Sequence, residues 1–252
     1  MGLIQTVRNR MDYWKDRGEV PPVTAIVVAA GKGERMGGEA SKQLLSVCGM
    51  PVIARTLGAF ENCRSVNEVV VVARDEDMVE ISRIVKDFEL TKVVRIVRGS
   101  DTRQRSALCG LEAAGEAAYF AIHDGARPLV SPECIDRVVE GALRHGAAAA
   151  AVRVKDTVKI ADDEGFVLST PDRSRLWSIQ TPQVFEAGLY RGAVKKAVEE
   201  QADYTDDCQM IESVGQKIRL IEGEYTNLKI TTPDDILAAE AYLGEGEESE
   251  TF

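Results

Sequence analysis

The hydrophobic positions of the first 150 residues follow two alternating periods. Continuous apolar runs at 25–30 and 68–73 are typical of strands that are buried on both faces. Between such runs, apolar residues recur every three or four positions, as they do on the buried face of a helix. This alternation predicts a doubly wound α/β fold, with a single, mostly parallel twisted sheet flanked by helices.

The boundaries of the elements follow from the same pattern and from capping residues. We predict strands at 25–30, 68–73, 92–97, 119–122, 147–154 and 183–185. We predict seven helices. One follows Pro51, one carries the apolar residues of 81–88, and two span about 102–114 and 186–199. The other three begin at Pro132, Asp206 and Pro233. Ser131 and Thr205 are the expected caps of two of these helices, because their hydroxyls can accept a hydrogen bond from a free backbone N–H.

One stretch departs from the β-α-β order. Two short apolar pieces within 157–168 flank a turn that contains Gly165, which predicts a projecting β-hairpin, or arm, at about 155–175. We expect a single domain over 23–243, since a chain of this length forms one large core. An extension at 1–22 would precede this domain, and an acidic, disordered tail at 244–252 would follow it.

Composition argues against several classes of protein. The net charge of −10 argues against a nucleic-acid partner, and no apolar run reaches the roughly 18 residues that a membrane span needs. Only two histidines are present, and the five cysteines form no C-x-x-C pair, which argues against a zinc site or a histidine-based triad. Because the first residues show no signal-peptide core, we expect a cytoplasmic protein with reduced thiols.

The strongest chemical signal follows the first strand. Residues 29–37 have the sequence AAGKGERMG, and Lys42 follows them closely. Glycines directly after a strand let backbone N–H groups approach a phosphate, and Lys32, Arg35 and Lys42 add positive charge to an acidic protein. The spacing matches neither G-x-G-x-x-G nor the P-loop, so the loop alone predicts a phosphate ligand and no particular enzyme.

Six further motifs occur in a fixed order along the chain. They are R-x-x-S at 103–106, HDGARP at 123–128, DTVK at 156–159, TPQ at 181–183, TDD at 205–207 and NLKIT at 227–231. With the glycine loop, this set resembles the 2-C-methyl-D-erythritol 4-phosphate cytidylyltransferase family of the sugar-phosphate nucleotidyltransferases, over roughly 23–243. The resemblance implies a Rossmann-like nucleotidyltransferase fold and transfer of CMP from CTP to a small polyol phosphate. It also implies Mg²⁺, or another divalent cation, as cofactor.

The resemblance assigns roles to individual residues. The implied catalytic residues are Arg35, Lys42 and Lys229. The implied nucleotide contacts are Ala29, Ala30, Gly31, Gly33, Arg103, Ser106, Asp124 and Gly125. The implied acceptor contacts are Asp124, Arg127, Thr157, Arg173, Thr181 and Lys229. Asp124 is also the implied metal ligand, since Mg²⁺ takes one or two carboxylates and completes its shell with phosphate oxygens and water.

Assembly follows from the arm and from the same resemblance. An isolated two-stranded hairpin is marginally stable in water, so a projecting arm is expected to pack against a partner. We therefore expect a homodimer formed through the arm. The family analogy then brings Thr157 and Arg173 to the acceptor site of the other chain, although the sequence leaves open whether they act in cis or in trans.

Other interpretations remain open on the sequence alone. A pentitol-phosphate (ribitol 5-phosphate) cytidylyltransferase shares the loop, Asp124 and the TPQ motif. Residues 75–77 fit the D-x-D pattern of glycosyltransferases, although a solvated first helical turn explains them more simply. A non-catalytic nucleotide-binding homologue is a third alternative, but such proteins usually lack the charged site residues that this chain keeps. Ser106 could simply cap a helix, and the acids of 205–207 could simply interact with a helix dipole.

Overall fold

A computed structural model describes residues 21–31 and 41–249, the last five by their backbone only. The first twenty residues of the predicted N-terminal extension lie outside the described residues, as do 32–40 of the glycine loop and 250–252.

The described chain forms a seven-stranded sheet with helices on both faces. The strands of the described residues are β1 (Val23–Ala29), β2 (Ser46–Val47), β3 (Met50–Pro51), β4 (Glu68–Ala73), β5 (Val93–Arg98), β6 (Tyr119–Asp124), β7 (Ala147–Arg153), β8 (Ile160–Ala161), β9 (Val167–Ser169), β10 (Trp177–Glu186) and β11 (Arg219–Glu222). β2 pairs with β3, and β8 with β9, outside the large sheet. The α-helices are α1 (Val52–Asn62), α2 (Met78–Asp87), α3 (Arg103–Ala113), α4 (Pro132–His145), α5 (Ala187–Glu199), α6 (Asp207–Ser213) and α7 (Pro233–Ser249). The sheet order is β11-β7-β10-β6-β1-β4-β5. Neighbours are parallel except at β10, which runs antiparallel to β6 and β7, so the predicted mostly parallel sheet is confirmed.

The sheet is buried on both faces because its inner strands are almost entirely apolar. In β1, Val27 belongs to a core that α1, α2 and α4 complete, whereas Ile26 belongs to a second core with α3, α5 and α6. Successive side chains of a strand point to opposite faces, so an apolar run without alternation requires helices on both sides. The doubly wound arrangement follows from this requirement.

The ends of α4 illustrate how local sequence sets these helices. Ser131 accepts a hydrogen bond from Cys134 N at 3.0 Å, and Pro132 occupies the first turn, where its missing N–H costs nothing. The helix ends at Gly146, whose φ of 82° lies in the left-handed region that glycine adopts without strain. The predicted start at Ser131 and Pro132 is confirmed.

No helix in the described ranges combines the length and apolar character needed to cross a bilayer.

The arm is a short antiparallel hairpin of β8 and β9, as the sequence predicted. Asp162 closes its turn, because its Oδ1 accepts hydrogen bonds from the backbone N–H groups of Glu164 and Phe166. Phe166 and Leu168 are 67% and 66% exposed, and Ile160 is also exposed. The arm therefore presents an apolar surface that its own chain does not cover.

Two strands differ from their prediction. β10 begins at Trp177, well before the predicted 183–185. Its register with β7 shifts between Ile179 and Gln183, and Pro182 in this stretch has no N–H to donate. This irregularity hides the strand pattern in the sequence. β11 was not predicted, since four residues are too few for a periodic signal.

Two helices also differ from their prediction. The cap of α6 is Asp206, whose carboxylate accepts from Gln209 N at 2.8 Å, so the assignment of Thr205 as the cap was wrong by one residue. Asp206 has the extended backbone that a capping residue adopts. The disordered tail predicted from 244 is also wrong as far as Ser249, because α7 continues to that residue. A helix that is already nucleated extends at little cost.

Candidate active site

The candidate site lies at the carboxyl edge of the sheet, where β1 and β6 end side by side. The register pairs Val28 with Asp124, and the Gly125 N–H donates to Val28 O at 2.8 Å. Ala30 and Gly31 continue from β1 at the same edge, which is where ligands bind in open α/β sheets. The side chains that line the cleft at this edge include Lys42, Arg103, Ser106, Asp124 and Lys229.

Asp124 lies among three cationic side chains. Its Oδ1 accepts a hydrogen bond from Arg103 Nε at 3.0 Å. Its Oδ2 lies 3.0 Å from Lys229 Nζ and 3.6 Å from Arg127 Nε. Because Asp124 is only 6% exposed, these side chains, rather than water, balance its charge.

The pKa of Asp124 reflects a competition between burial and charge. Burial alone would raise this pKa, since water no longer stabilises the carboxylate. The positive charges of Arg103, Lys229 and Arg127 outweigh burial and hold the pKa of Asp124 well below its usual range. Asp124 is therefore ionised at neutral pH, and it both anchors the three cations and presents a hard oxygen.

Arg103 connects this cluster to the core beneath α3. Its Nη1 donates to Asp207 Oδ2 at 2.6 Å, and Asp207 Oδ1 accepts from the Tyr190 hydroxyl at 2.7 Å. Burial lowers the pKa of Arg103, but the carboxylates of Asp207 and Asp124 raise it beyond its usual range. Asp207 lies in the first turn of α6, as the helix-dipole interpretation expects, and its side chain is also 1% exposed and pairs with Arg103, which the sequence did not indicate.

A second network fixes the loop that carries Lys229. Arg127 Nη1 donates to Asn227 O at 2.7 Å, and Asn227 Nδ2 donates to Thr181 O at 2.9 Å. Thr181 Oγ1 in turn accepts from Asp124 N at 3.1 Å. The segment around Lys229 has no strand pairing. These side-chain hydrogen bonds, with one from Ile230 N to Ala126 O at 2.8 Å, hold it in place.

Ser106 belongs to the wall of the cleft. It exchanges two hydrogen bonds with the backbone of Ser100, at 3.0 and 3.2 Å. Thr102 caps α3, so the simpler interpretation of Ser106 as a helix cap was wrong. A Cβ at Gly99 would come within 2.4 Å of Ala30 Cβ. The loop after β5 therefore lies directly against the start of the glycine loop.

The structure brings most of the predicted site residues together and separates two of them. Those gathered at the carboxyl edge are Ala29, Ala30, Gly31, Lys42, Arg103, Ser106, Asp124, Gly125, Arg127, Thr181 and Lys229. Thr157 and Arg173 lie at the base of the arm, where Arg173 Nη1 donates to Lys155 O at 2.6 Å, and neither lines the cleft of its own chain. Gly33 and Arg35 lie outside the described residues.

The D-x-D interpretation of 75–77 gains no support from the geometry. These residues form a single 3₁₀ turn and do not line the described cleft. Asp75 and Glu76 are exposed, as expected for a solvated turn, whereas Asp77 is buried and pairs with Arg74 Nε at 2.7 Å. Asp77 therefore stabilises the turn.

The donor set limits the metal that this edge could hold. Among the described residues, no three His, Cys, Asp or Glu side chains group closely enough to hold a metal ion. Asp124 supplies one carboxylate, and three cations already surround it. This set fits a Mg²⁺ ion that brings most of its ligands as phosphate oxygens and water, and it does not fit a metal held by the protein alone.

The chain is similar to cytidylyltransferases in sequence and in structure. The family model described as IspD, 2-C-methyl-D-erythritol 4-phosphate cytidylyltransferase, matches residues 23–245. Proteins of that name from Caldanaerobacter subterraneus subsp. tengcongensis and Pelotomaculum thermopropionicum are 43% and 44% identical over 223 residues, which cover 88% of this chain and 98% and 94% of theirs. The crystal structure of 4-diphosphocytidyl-2C-methyl-D-erythritol synthase from Anaerococcus prevotii matches with a TM-score of 0.80 at 32% identity, covering 89% of this chain and 96% of that one. The cytidylyltransferase from Thermus thermophilus matches with a TM-score of 0.73 at 32% identity, covering 88% and 98%.

Proposed function

The chain belongs to the 2-C-methyl-D-erythritol 4-phosphate cytidylyltransferase family, and on this premise we propose that it transfers CMP from CTP to 2-C-methyl-D-erythritol 4-phosphate. The products are 4-diphosphocytidyl-2-C-methyl-D-erythritol and pyrophosphate. The observation that carries the proposal is the convergence of Arg103, Asp124 and Lys229 beside the start of the glycine loop. Fixed positive charges at one edge suit a reaction between two polyanions.

The proposed chemistry needs no nucleophile from the protein. A phosphate monoester is largely dianionic at neutral pH, because its second pKa is about 6. One of its oxygens attacks the α-phosphorus of CTP, and the bond to the leaving pyrophosphate breaks as the new P–O bond forms. Pyrophosphate leaves with the bonding electron pair. The protein's part is to align the two substrates and to offset their mutual repulsion.

The cationic side chains divide between the two substrates. We assign Arg35 and Lys42 to the triphosphate of CTP, and Lys229 to the acceptor phosphate. Lys42 and Lys229 both line the cleft. Lys229 is held near Asp124 yet keeps 34% of its side chain exposed, so its ammonium group can reach a ligand without leaving the site.

We propose Mg²⁺ as the cofactor, with Asp124 as its protein ligand. When bound, this ion would neutralise phosphate oxygens of the triphosphate and of the pyrophosphate that leaves. The three cations around Asp124 disfavour a further positive charge until the triphosphate contributes its negative charges. The arrangement therefore favours entry of the metal together with CTP.

We propose a homodimer in which the arm crosses to the neighbouring chain. The exposed apolar side chains of Phe166 and Leu168 support this assembly, since a two-stranded hairpin is marginal without a partner. Thr157 and Arg173 lie at the base of the arm and away from the cleft of their own chain. In a two-fold dimer they would complete the acceptor site of the other chain.

Pyrophosphate release tests the proposed function. The experiment combines CTP, ATP, GTP or UTP with 2-C-methyl-D-erythritol 4-phosphate, erythritol 4-phosphate or ribitol 5-phosphate. We expect the highest kcat/KM for CTP with 2-C-methyl-D-erythritol 4-phosphate. A preference for ribitol 5-phosphate would instead favour the pentitol-phosphate alternative. Absence of pyrophosphate with every pair, from protein that binds CTP, would favour a non-catalytic role.

A further inference from the structure

Two buried polar side chains, Tyr190 and Asp207, lie behind the cleft, and the proposed mechanism makes no use of them. The Tyr190 hydroxyl of α5 donates to Asp207 Oδ1, and Asp207 Oδ2 accepts from Arg103 Nη1. Tyr190 is fully buried and Asp207 is 1% exposed. Burying a carboxylate and a hydroxyl is costly unless both are hydrogen-bonded, and here each of the two groups has a hydrogen-bond partner.

Two carboxylates, Asp124 and Asp207, fix the orientation of Arg103 from two sides. Arg103 Nε donates to Asp124 at 3.0 Å, while its Nη1 donates to Asp207 at 2.6 Å. A guanidinium group is planar and its donors form a rigid fork, so contacts to two different nitrogens fix its plane and its rotation. Arg103 is thus held between the site and the core.

The direction of the Tyr190 contact supports the same interpretation. Burial, and then the charge of Asp207, raise the pKa of Tyr190 well above its usual range. Its hydroxyl therefore remains protonated and donates to the carboxylate. The Tyr190 ring also stacks on Phe185, with ring centroids 5.5 Å apart, so the hydroxyl is held in a fixed place.

We propose that Asp207, itself oriented by the Tyr190 hydroxyl, is a positioning residue that holds Arg103 against Asp124. This inference deepens the proposed cytidylyl transfer and rests on it. A fixed Arg103 keeps one oxygen of Asp124 engaged, so the other remains directed at Lys229. Without Asp207, Arg103 would be free to rotate, and Asp124 and Lys229 would lose their alignment.

Substitutions that separate charge from size test the proposal. Asp207→Asn keeps the size and removes the charge, and kcat should fall by about 10- to 100-fold, the loss that small misplacements in a site can cause. Asp207→Glu keeps the charge and changes the size, and it should retain more activity than Asp207→Asn. A residue that only packs the core would give the reverse order. Tyr190→Phe removes one hydrogen bond and should cost on the order of threefold to tenfold.

A double-mutant cycle with Arg103 tests whether Asp207 acts through it. In an Arg103→Gln background, Asp207→Asn should cause almost no further loss of kcat, because the side chain that it positions is already gone. Independent effects that multiply would overturn the proposal. Thermal midpoints measured alongside show which variants are folded at the assay temperature, and Tyr190→Phe, which keeps the stacked ring, provides a variant that should fold in any case.

Asp206→Asn is the matched control. Asp206 is the neighbouring carboxylate and caps the same helix, but its contacts are Gln209 N and Gln183 Nε2 rather than Arg103. This variant should lose stability and keep its kcat. If the wild-type protein releases no pyrophosphate from CTP, the proposed function fails. If the wild type is active and Asp207→Asn is equally active, the positioning role alone is refuted.

Discussion

Replacement of Asp124 by asparagine should separate the binding of CTP from its turnover. The carboxylate balances Arg103 and Lys229 at 3.0 Å and Arg127 at 3.6 Å. Asparagine keeps the shape of the side chain but removes its charge. Three cations would then lie together without their common counter-charge.

The loss of stability can be bounded from the burial of the three partners. Removing one member of a buried ion pair costs about 3–5 kcal/mol. The side chains of Arg103 and Lys229 are 26% and 34% exposed, and water can partly solvate them once Asp124 is neutral. We therefore expect a cost near 3 kcal/mol, which at 2–4 °C per kcal/mol lowers Tm by roughly 6–12 °C.

Binding and turnover should change in opposite directions. Without metal, CTP would no longer be repelled by the Asp124 carboxylate, so its affinity should rise by about tenfold, or roughly 1.4 kcal/mol. With metal, turnover should fall by about 10²- to 10³-fold, because Lys229 is no longer aligned and the metal has lost its hard ligand. Calorimetric titration of CTP with a chelator present and pyrophosphate release at saturating Mg²⁺ measure the two effects.

Asp77→Asn is the matched control for this prediction. Asp77 is 4% exposed and pairs with Arg74 Nε at 2.7 Å, but it does not line the cleft. Its replacement should lower Tm and leave both CTP affinity and turnover unchanged. The electrostatic reasoning would be refuted if Asp124→Asn lowered the metal-free affinity for CTP, or if its turnover in Mg²⁺ were normal.

The same geometry leads to three further predictions. Lys42→Ala should lower kcat by about 10²- to 10³-fold with little change in the acceptor KM, and near-normal kcat would remove Lys42 from the mechanism. Lys42→Ala and Arg173→Ala homodimers should each be nearly inactive, but random re-pairing should restore roughly a quarter of wild-type activity if the two residues serve one site from different chains. No recovery, with subunit exchange shown independently, would contradict the crossed-arm dimer. Burial lowers the pKa of His123 to about 3, so the free energy of unfolding should fall as pH drops below about 6.5, by up to about 1.4 kcal/mol per pH unit. Chemical denaturation of His123→Gln should lack this part of the slope between pH 6.5 and 4, and an unchanged slope would count against a neutral, buried His123.

The framework of the fold could be predicted because its signals are local. The apolar runs of β1 and β4 and the cap at Ser131 depend on a few consecutive residues, and each was found at or near its predicted place. The strand β11 and the first half of β10 were missed, because their pairing depends on β7, a partner distant in sequence. Tertiary pairing of this kind leaves no periodic signal in so few residues.

The residues of the candidate site could be predicted from the sequence, but the hydrogen bonds that hold them in place could not. Parallel pairing of β1 with β6 explains why Asp124 had to lie near the glycine loop. The contact of Asp207 with Arg103 joins residues 104 positions apart, and no spacing rule indicates it. Tyr190 gave only a weak signal, as a polar side chain next to Leu189 on the inward face of α5.

Tracing the phosphorus atoms of CTP distinguishes cytidylyl transfer from transfer or hydrolysis of the γ-phosphate. CTP labelled either at the α-phosphorus or at the γ-phosphorus is incubated with Mg²⁺, 2-C-methyl-D-erythritol 4-phosphate and the protein, and the products are separated. We expect the α-label in the organic product and the γ-label only in pyrophosphate, because the acceptor phosphate attacks the α-phosphorus. Transfer of the γ-label to the acceptor, or its release as inorganic phosphate while the α-label stays in the nucleotide, would contradict cytidylyl transfer.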